Sequence, residues 1–139
     1  MNETNPHPVV LYVEDNPQSC KLMRMMLVGR LGLQYVSIWP DSMNFPARLS
    51  ALEPQPDVVF LDIHMEPHNG FEMLAMLREH NNYRETPVVA LTASVMSEEI
   101  NQLKGAGFNG CIAKPIDLGT FPDALTRILA GEAVWTIFG

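Results

Sequence analysis

Apolar runs alternate with polar punctuation along this chain, and most of the runs end on a chemically useful residue. Val9-Val10-Leu11-Tyr12-Val13 leads into Glu14-Asp15, and Val58-Val59-Phe60-Leu61 leads into Asp62. Val88-Val89-Ala90-Leu91 leads into Thr92, and the run from Phe108 to Ala113 leads into Lys114-Pro115. A fifth run spans Tyr35 to Trp39. Continuous apolar runs of this length fit parallel strands covered on both faces. Strands are therefore expected over about 8–13, 35–39, 57–61, 87–91 and 108–113.

Between these runs the spacing turns helical. Asn16 caps a helix with Pro17 in its first turn, Leu22, Met25, Met26 and Leu27 on its buried face, and Gly29 and Gly32 at its end. The next helix runs from about 45 to 52, with Pro46 tolerated in its first turn. Gly70 starts a third, with Phe71, Leu74 and Leu77 facing inward. Ser97 caps a fourth that carries Ile100 and Leu103 and ends at Gly107. Thr120 caps the last, with Phe121-Pro122 in its first turn and Leu125, Ile128 and Leu129 buried. Strand–helix alternation repeated in this way predicts a parallel sheet with helices on both faces, joined by right-handed crossovers. Such sheets place their sites at the carboxyl ends of the strands, where Glu14, Asp15, Asp62, Thr92 and Lys114 would meet.

The totals narrow the picture. A length of 139 residues suits one domain with a real core, here 8–130. Residues 1–7 are expected to form a disordered lead-in. Residues 131–139 form an apolar tail, with Trp135 and Phe138 expected to pack at the end of the last helix or to serve a dimer or partner contact. A net charge of −7 argues against a nucleic-acid surface, which would want a basic face. No apolar run approaches the roughly 20 residues of a membrane span. The polar N-terminus lacks the apolar centre of a signal peptide, and Cys20 and Cys111 form neither a disulfide framework nor a zinc spacing. A reduced, cytoplasmic protein is expected. Cys111 reads as a small buried hydrophobe. His64 and His68 read as loop residues, because Pro67 argues against one helix presenting both to zinc.

The strand-end residues carry a specific chemistry. Three carboxylates brought close together repel, and a hard divalent cation such as Mg²⁺ relieves that repulsion while keeping some of its waters. A carboxylate nucleophile, a divalent metal, a lysine and a hydroxyl are the parts needed to accept a phosphoryl group.

Glu14-Asp15-Asn16, Leu61-Asp62-Ile63-His64-Met65 with Gly70-Phe71-Glu72, Leu91-Thr92-Ala93 and Lys114-Pro115, in that order, resemble the motifs of a two-component response-regulator receiver domain. The resemblance covers about residues 8–130. It implies a flavodoxin-like (βα)5 fold, doubly wound, with a five-stranded parallel sheet of order 2-1-3-4-5. It implies phosphorylation of Asp62 by a histidine kinase or a histidine phosphotransfer protein, without turnover of a substrate. It also implies Mg²⁺ bound by Glu14, Asp15, Asp62 and the backbone carbonyl of His64, with Thr92 and Lys114 holding the phosphoryl group and a cis Lys114-Pro115 bond. The expected role is a stand-alone receiver that signals by contact with a downstream protein target or relays the phosphoryl group onward. Two positions depart from the family pattern. Glu66 stands where the family has proline, which falls one residue later at Pro67, and Cys111 stands where the family has a switching aromatic. These departures motivate an alternative reading, a phosphorylation-independent interaction module that keeps the fold. An aspartate-nucleophile phosphatase fits less well, because that chemistry wants an acid where His64 stands.

Overall fold

The computed structural model describes residues 7–94 and 96–136. Five strands and five helices alternate in chain order: β1 (Val9–Val13), α1 (Pro17–Arg24), β2 (Tyr35–Trp39), α2 (Phe45–Ala51), β3 (Val58–Asp62), α3 (Gly70–Glu79), β4 (Val88–Thr92), α4 (Ser97–Ala106), β5 (Gly110–Ala113) and α5 (Phe121–Leu129). A sixth strand, β6 (Val134–Thr136), follows α5. All strands pair in parallel in the order β2-β1-β3-β4-β5-β6.

The doubly wound parallel architecture matches the expectation, but the sheet has six strands rather than five. Part of the expected apolar tail supplies the extra one. Val134 and Trp135 fall on opposite faces of the extended strand, so both sides of the sheet gain apolar cover from a segment of only three residues. Trp135 therefore lies on the sheet rather than at the end of α5. The expected lead-in, apart from His7, and Phe138 lie outside the described residues.

The central strands β3 and β4 are buried at every position, as strands covered on both faces must be. Two cores result. Leu11, Leu61, Val59 and Ala90 face α2, α3 and α4, with Met73, Leu77, Ile100 and Leu103 supplied by the helices. Tyr12, Phe60 and Leu91 face α1 and α5, together with Met23, Met26, Phe121 and Ile128. Each of these large side chains contributes about 1.5–3 kcal/mol on burial.

Local signals explain several helix ends. The Asn16 side chain accepts the Ser19 amide at 2.9 Å, with Pro17 in the first turn. Asn69 and Glu72 form a reciprocal capping box at the start of α3. Gly107 ends α4 with a φ of 104°, the left-handed conformation that glycine adopts without penalty. Three expectations need correction. The α1 helix does not stop at Gly29 but continues as a π-helical segment over Met25–Arg30. The buried face is Met23, Met26 and Leu27, at i, i+3 and i+4, and Met25 is 56% exposed. Ser97 is the first residue of α4, with Met96 at the cap position and no side-chain cap. Thr120 occupies the cap position of α5 but its side chain makes no capping bond.

Gly70 places α3 directly against the loop that leaves β3. A β-carbon there would stand 2.8 Å from Ile63 Cδ1, 3.0 Å from Ile63 Cα and 3.1 Å from the Asp62 carbonyl oxygen. Gly70→Ala is expected to destabilise the fold by about 1–3 kcal/mol, the range for overpacking a tight contact. Urea unfolding measures this, and an unchanged midpoint would show that the loop yields freely.

Candidate functional site

Parallel strands end side by side, so β1, β3, β4 and β5 deliver their terminal residues to one rim. Asp62 is the last residue of β3, Thr92 the last of β4, and Glu14 follows β1. Lys114 follows β5, and its amide donates to the Thr92 carbonyl at 2.9 Å. Glu14, Asp62 and Thr92 are buried polar residues, at 0%, 3% and 2% exposure. Buried charge requires pairing, and Lys114 supplies it. Its ammonium lies 3.0 Å from Glu14 Oε1 and 3.4 Å from Asp62 Oδ1.

Glu14 is saturated by its surroundings. The Tyr12 hydroxyl donates to Oε1 at 2.7 Å, and the Asn16 amide donates to Oε2 at 3.2 Å. Tyr12 sits two residues before Glu14 on a strand, hence on the same face. Burial, reinforced by the bond to Glu14, pushes the Tyr12 phenol upward and keeps it neutral. The thiol of Cys20 donates to the Glu14 carbonyl at 3.1 Å.

The two buried carboxylates are shifted in opposite directions. Burial pushes Asp62 up, and its bond to Glu14 and the charge of Glu14 push it further, to about 7, against Lys114. Burial would raise Glu14 as well, but its bonds to Asp62, Tyr12 and Lys114 outweigh that and hold it below its ordinary value. Lys114 loses some affinity for its proton to burial, yet the bond to Glu14 and the charge of Asp62 more than restore it. At neutral pH in the absence of metal, Glu14 is the anion and Lys114 the cation. Asp62 stands near its midpoint.

Glu14, Asp15 and Asp62 each offer an oxygen within 4.8 Å of the others, the only such acidic cluster among the described residues. Asp15 is exposed and open to solvent, while Glu14 and Asp62 are buried. All donors in the set are oxygens, which suits a hard cation that keeps part of its water shell. His64 follows Asp62 by two residues, and its amide donates to Asp62 Oδ1 at 3.3 Å. The His64 and His68 side chains belong to no metal cluster among the described residues.

Thr92 faces a cleft of about 430 Å³ bounded by His64, Phe71, Ser94, Glu99 and Gln102. Its hydroxyl donates to the Ser94 carbonyl at 3.3 Å and accepts the Ser94 amide at 3.1 Å. The Ser94 hydroxyl in turn donates to Glu99 of α4. Cys111 is buried in the core on the α4 side, as expected, and burial together with Glu99 pushes its thiol to about 11. Glu66 is exposed, and the Lys114-Pro115 bond is cis.

The expected residues thus converge. Several others that complete the arrangement were not singled out from the sequence. Tyr12 could have been found from the two-residue period of its strand. Ser42 is buried and binds the backbone of His68 through both its hydroxyl proton and its oxygen, at 2.9 and 2.8 Å, which ties the loop after β3 to the loop before α2. Ser94 and Glu99 gain their meaning only from the fold of the loop after β4.

Comparisons with known proteins agree with this geometry. The response regulator receiver domain family model matches residues 10–126. The polar-differentiation response regulator DivK of Brucella ovis is 30% identical over 124 residues, which is 89% of this chain and 97% of that protein. The signal transduction histidine-protein kinase BarA of Shigella flexneri is 29% identical over 125 residues, 90% of this chain, and the matched region is only 13% of that kinase's length. Among solved structures, the receiver domain of the sensor histidine kinase PA1611 of Pseudomonas aeruginosa has a TM-score of 0.76 at 27% identity, over 89% of this chain and 98% of that one. That structure is described with a magnesium ion coordinated in its active-site cleft. No helix among the described residues is long and apolar enough to cross a membrane. With the strand ends, the buried acid pair and these relatives in agreement, this chain belongs to the response regulator receiver domain family of two-component signalling, whose members are signalling modules rather than turnover enzymes.

Proposed function

We propose that this chain accepts a phosphoryl group on Asp62 from the phosphohistidine of a histidine kinase or histidine phosphotransfer protein, and signals through the change that follows. The observation that carries this reading is Lys114. A single ammonium lies between Glu14 and Asp62, on a rim that also holds Thr92. In the transfer, the donor's N–P bond breaks and a bond from an Asp62 carboxylate oxygen to phosphorus forms. The departing imidazole nitrogen keeps the electron pair and takes a proton. Lys114 balances the charge carried by the phosphoryl oxygens, and the Thr92 hydroxyl donates to one of them once the group is in place. Glu14, held by Tyr12 and Asn16, keeps Lys114 in position.

Asp15, Asp62, Glu14 and the His64 carbonyl are the groups that would hold Mg²⁺. The bound ion would neutralise the oxygens of the transferring group. Burial of Asp62 suits the nucleophile's role, because charge interactions strengthen where water is excluded.

Incubation with acetyl phosphate and Mg²⁺ is expected to add one phosphoryl group by intact mass, and Asp62→Asn is expected to block it. Asp15→Asn should sharply weaken Mg²⁺ binding. Equal labelling of wild type and Asp62→Asn would place the acceptor at another residue, and no labelling of either protein would favour a phosphorylation-independent module.

The acid pair also predicts a pH dependence. Asp62 titrates near 7 in the folded protein against an ordinary 3.8. Its folded value is raised, so its contribution to the stability of the metal-free protein is complete below about 4 and is lost as pH rises through about 7. Urea unfolding without Mg²⁺ should therefore show stability falling from about pH 5 to about pH 8 in the wild type, with a flatter profile in Asp62→Asn. Mg²⁺ needs the deprotonated pair, so its affinity should climb with pH over the same window, approaching about tenfold per pH unit below 7. Parallel profiles for the two proteins would place the proton elsewhere.

A further inference from the structure

The sixth strand is built into the sheet at one specific place. Val134 pairs with Gly110, Trp135 with Cys111 and Thr136 with Ile112. A β-carbon on Gly110 would run into the Val134 carbonyl oxygen and stand 3.1 Å from the Val134 nitrogen. The first residue of β5 is thus a glycine where the backbone of β6 crosses it, and any side chain there would push β6 away. Val134 is 2% exposed and completes the core on the α5 side. Trp135 packs on the opposite core, and the Lys104 ammonium of α4 lies 5.2 Å from the centre of its ring.

The same α4 helix is tethered at its other end to the candidate phosphoryl site. Thr92 holds Ser94 through two hydrogen bonds, and Ser94 holds Glu99 in the first turn of α4. One helix therefore joins Thr92, through Ser94 and Glu99, to β6, through Lys104 and Trp135.

We propose that β6 is a strap that favours the unphosphorylated conformation and loosens when Asp62 carries a phosphoryl group. The proposal rests on the phosphoacceptor reading above. A threonine hydroxyl has a single proton to donate. Once Thr92 donates it to a phosphoryl oxygen, its bond to the Ser94 carbonyl is lost, and the tether from Ser94 to α4 loses its fixed anchor. Movement of α4 then carries Lys104 off Trp135. The strand that depends on that contact is three residues long and sits at the edge of the sheet, where local opening costs least. Such coupling is reciprocal. If the phosphoryl group weakens the hold on β6, removing β6 must strengthen binding of the phosphoryl group by the same factor.

The test uses the full chain with Trp39→Phe, which leaves Trp135 as the sole tryptophan of the two in the sequence. Beryllofluoride with Mg²⁺ serves as the phosphoryl mimic. Its binding should shift Trp135 emission to longer wavelength and raise its quenching by iodide. Gly110→Ala lies at the end of β5 away from Lys114, and it should show the shifted emission without the mimic and bind the mimic about fivefold tighter or more. Lys104→Gln leaves the sheet untouched and should move affinity in the same direction by less, which keeps the proposal testable if Gly110→Ala fails to fold. Trp135 emission that ignores the bound mimic, or variants that bind it no tighter than the parent, would overturn the strap alone. A parent protein that binds no mimic would overturn the phosphoacceptor reading and the strap with it.

Discussion

Two buried carboxylates and one half-buried ammonium, held together at the end of a parallel sheet, are the constraint on which the rest of this structure depends. Glu14 is fully buried and Asp62 nearly so, and neither could hold charge there without Lys114. Removing ions from water costs several kcal/mol each even after relaxation. The arrangement offsets that cost with a direct ion pair and with donors from Tyr12 and Asn16, while burial and the charge of Glu14 shift Asp62 upward. The site is therefore charged enough to attract a cation or a phosphoryl group, yet neutral enough to stay folded without either.

The sheet is what makes this possible. A parallel sheet buried on both faces aligns its strand ends without requiring the residues to be near in sequence, so Glu14 meets Lys114 across 100 positions of chain. Apolar residues on β1, β3 and β4 hold these ends in register against two separate layers of helices. Gly70 lets α3 approach the loop beyond Asp62, and Ser42 fastens that loop from the other side. The Asp62 carboxylate is thus fixed in place, while Asp15 beside it stays exposed.

The α4 side differs in character. Thr92 spends its hydroxyl on a local turn with Ser94, and Ser94 reaches α4 through a hydroxyl–carboxylate bond to Glu99. Polar links of this kind have alternative partners, unlike the packed core beneath them. Cys111 lies under this region with its thiol protonated and offers no ring to swing. The link from Thr92 to α4 is made by hydroxyls and a carboxylate, with no aromatic side chain in it. The far end of α4 meets Trp135.

Sequence pattern alone determined the parallel sheet, the places of its first five strands and the position of Asp62, Thr92 and Lys114 at strand ends. These follow from unbroken apolar runs that terminate in functional groups, a signal carried by neighbours in the chain. It did not determine the sixth strand, because a short stretch such as Val134-Trp135 after a helix suits helix-end packing as well as a sheet edge. The space left by Gly110 is what separates the two. Nor did it foresee the exposure of Met25, since three methionines at 23, 25 and 26 fit two adjacent helical stripes and only the packing selects Met23 with Met26 and Leu27. The upward shift of Asp62, the pairing of Lys114 with Glu14 and the tether from Thr92 to Glu99 belong wholly to the tertiary structure. Each depends on burial and on distances of about 3 Å between residues far apart in the chain or brought together by a loop, and no local pattern contains either.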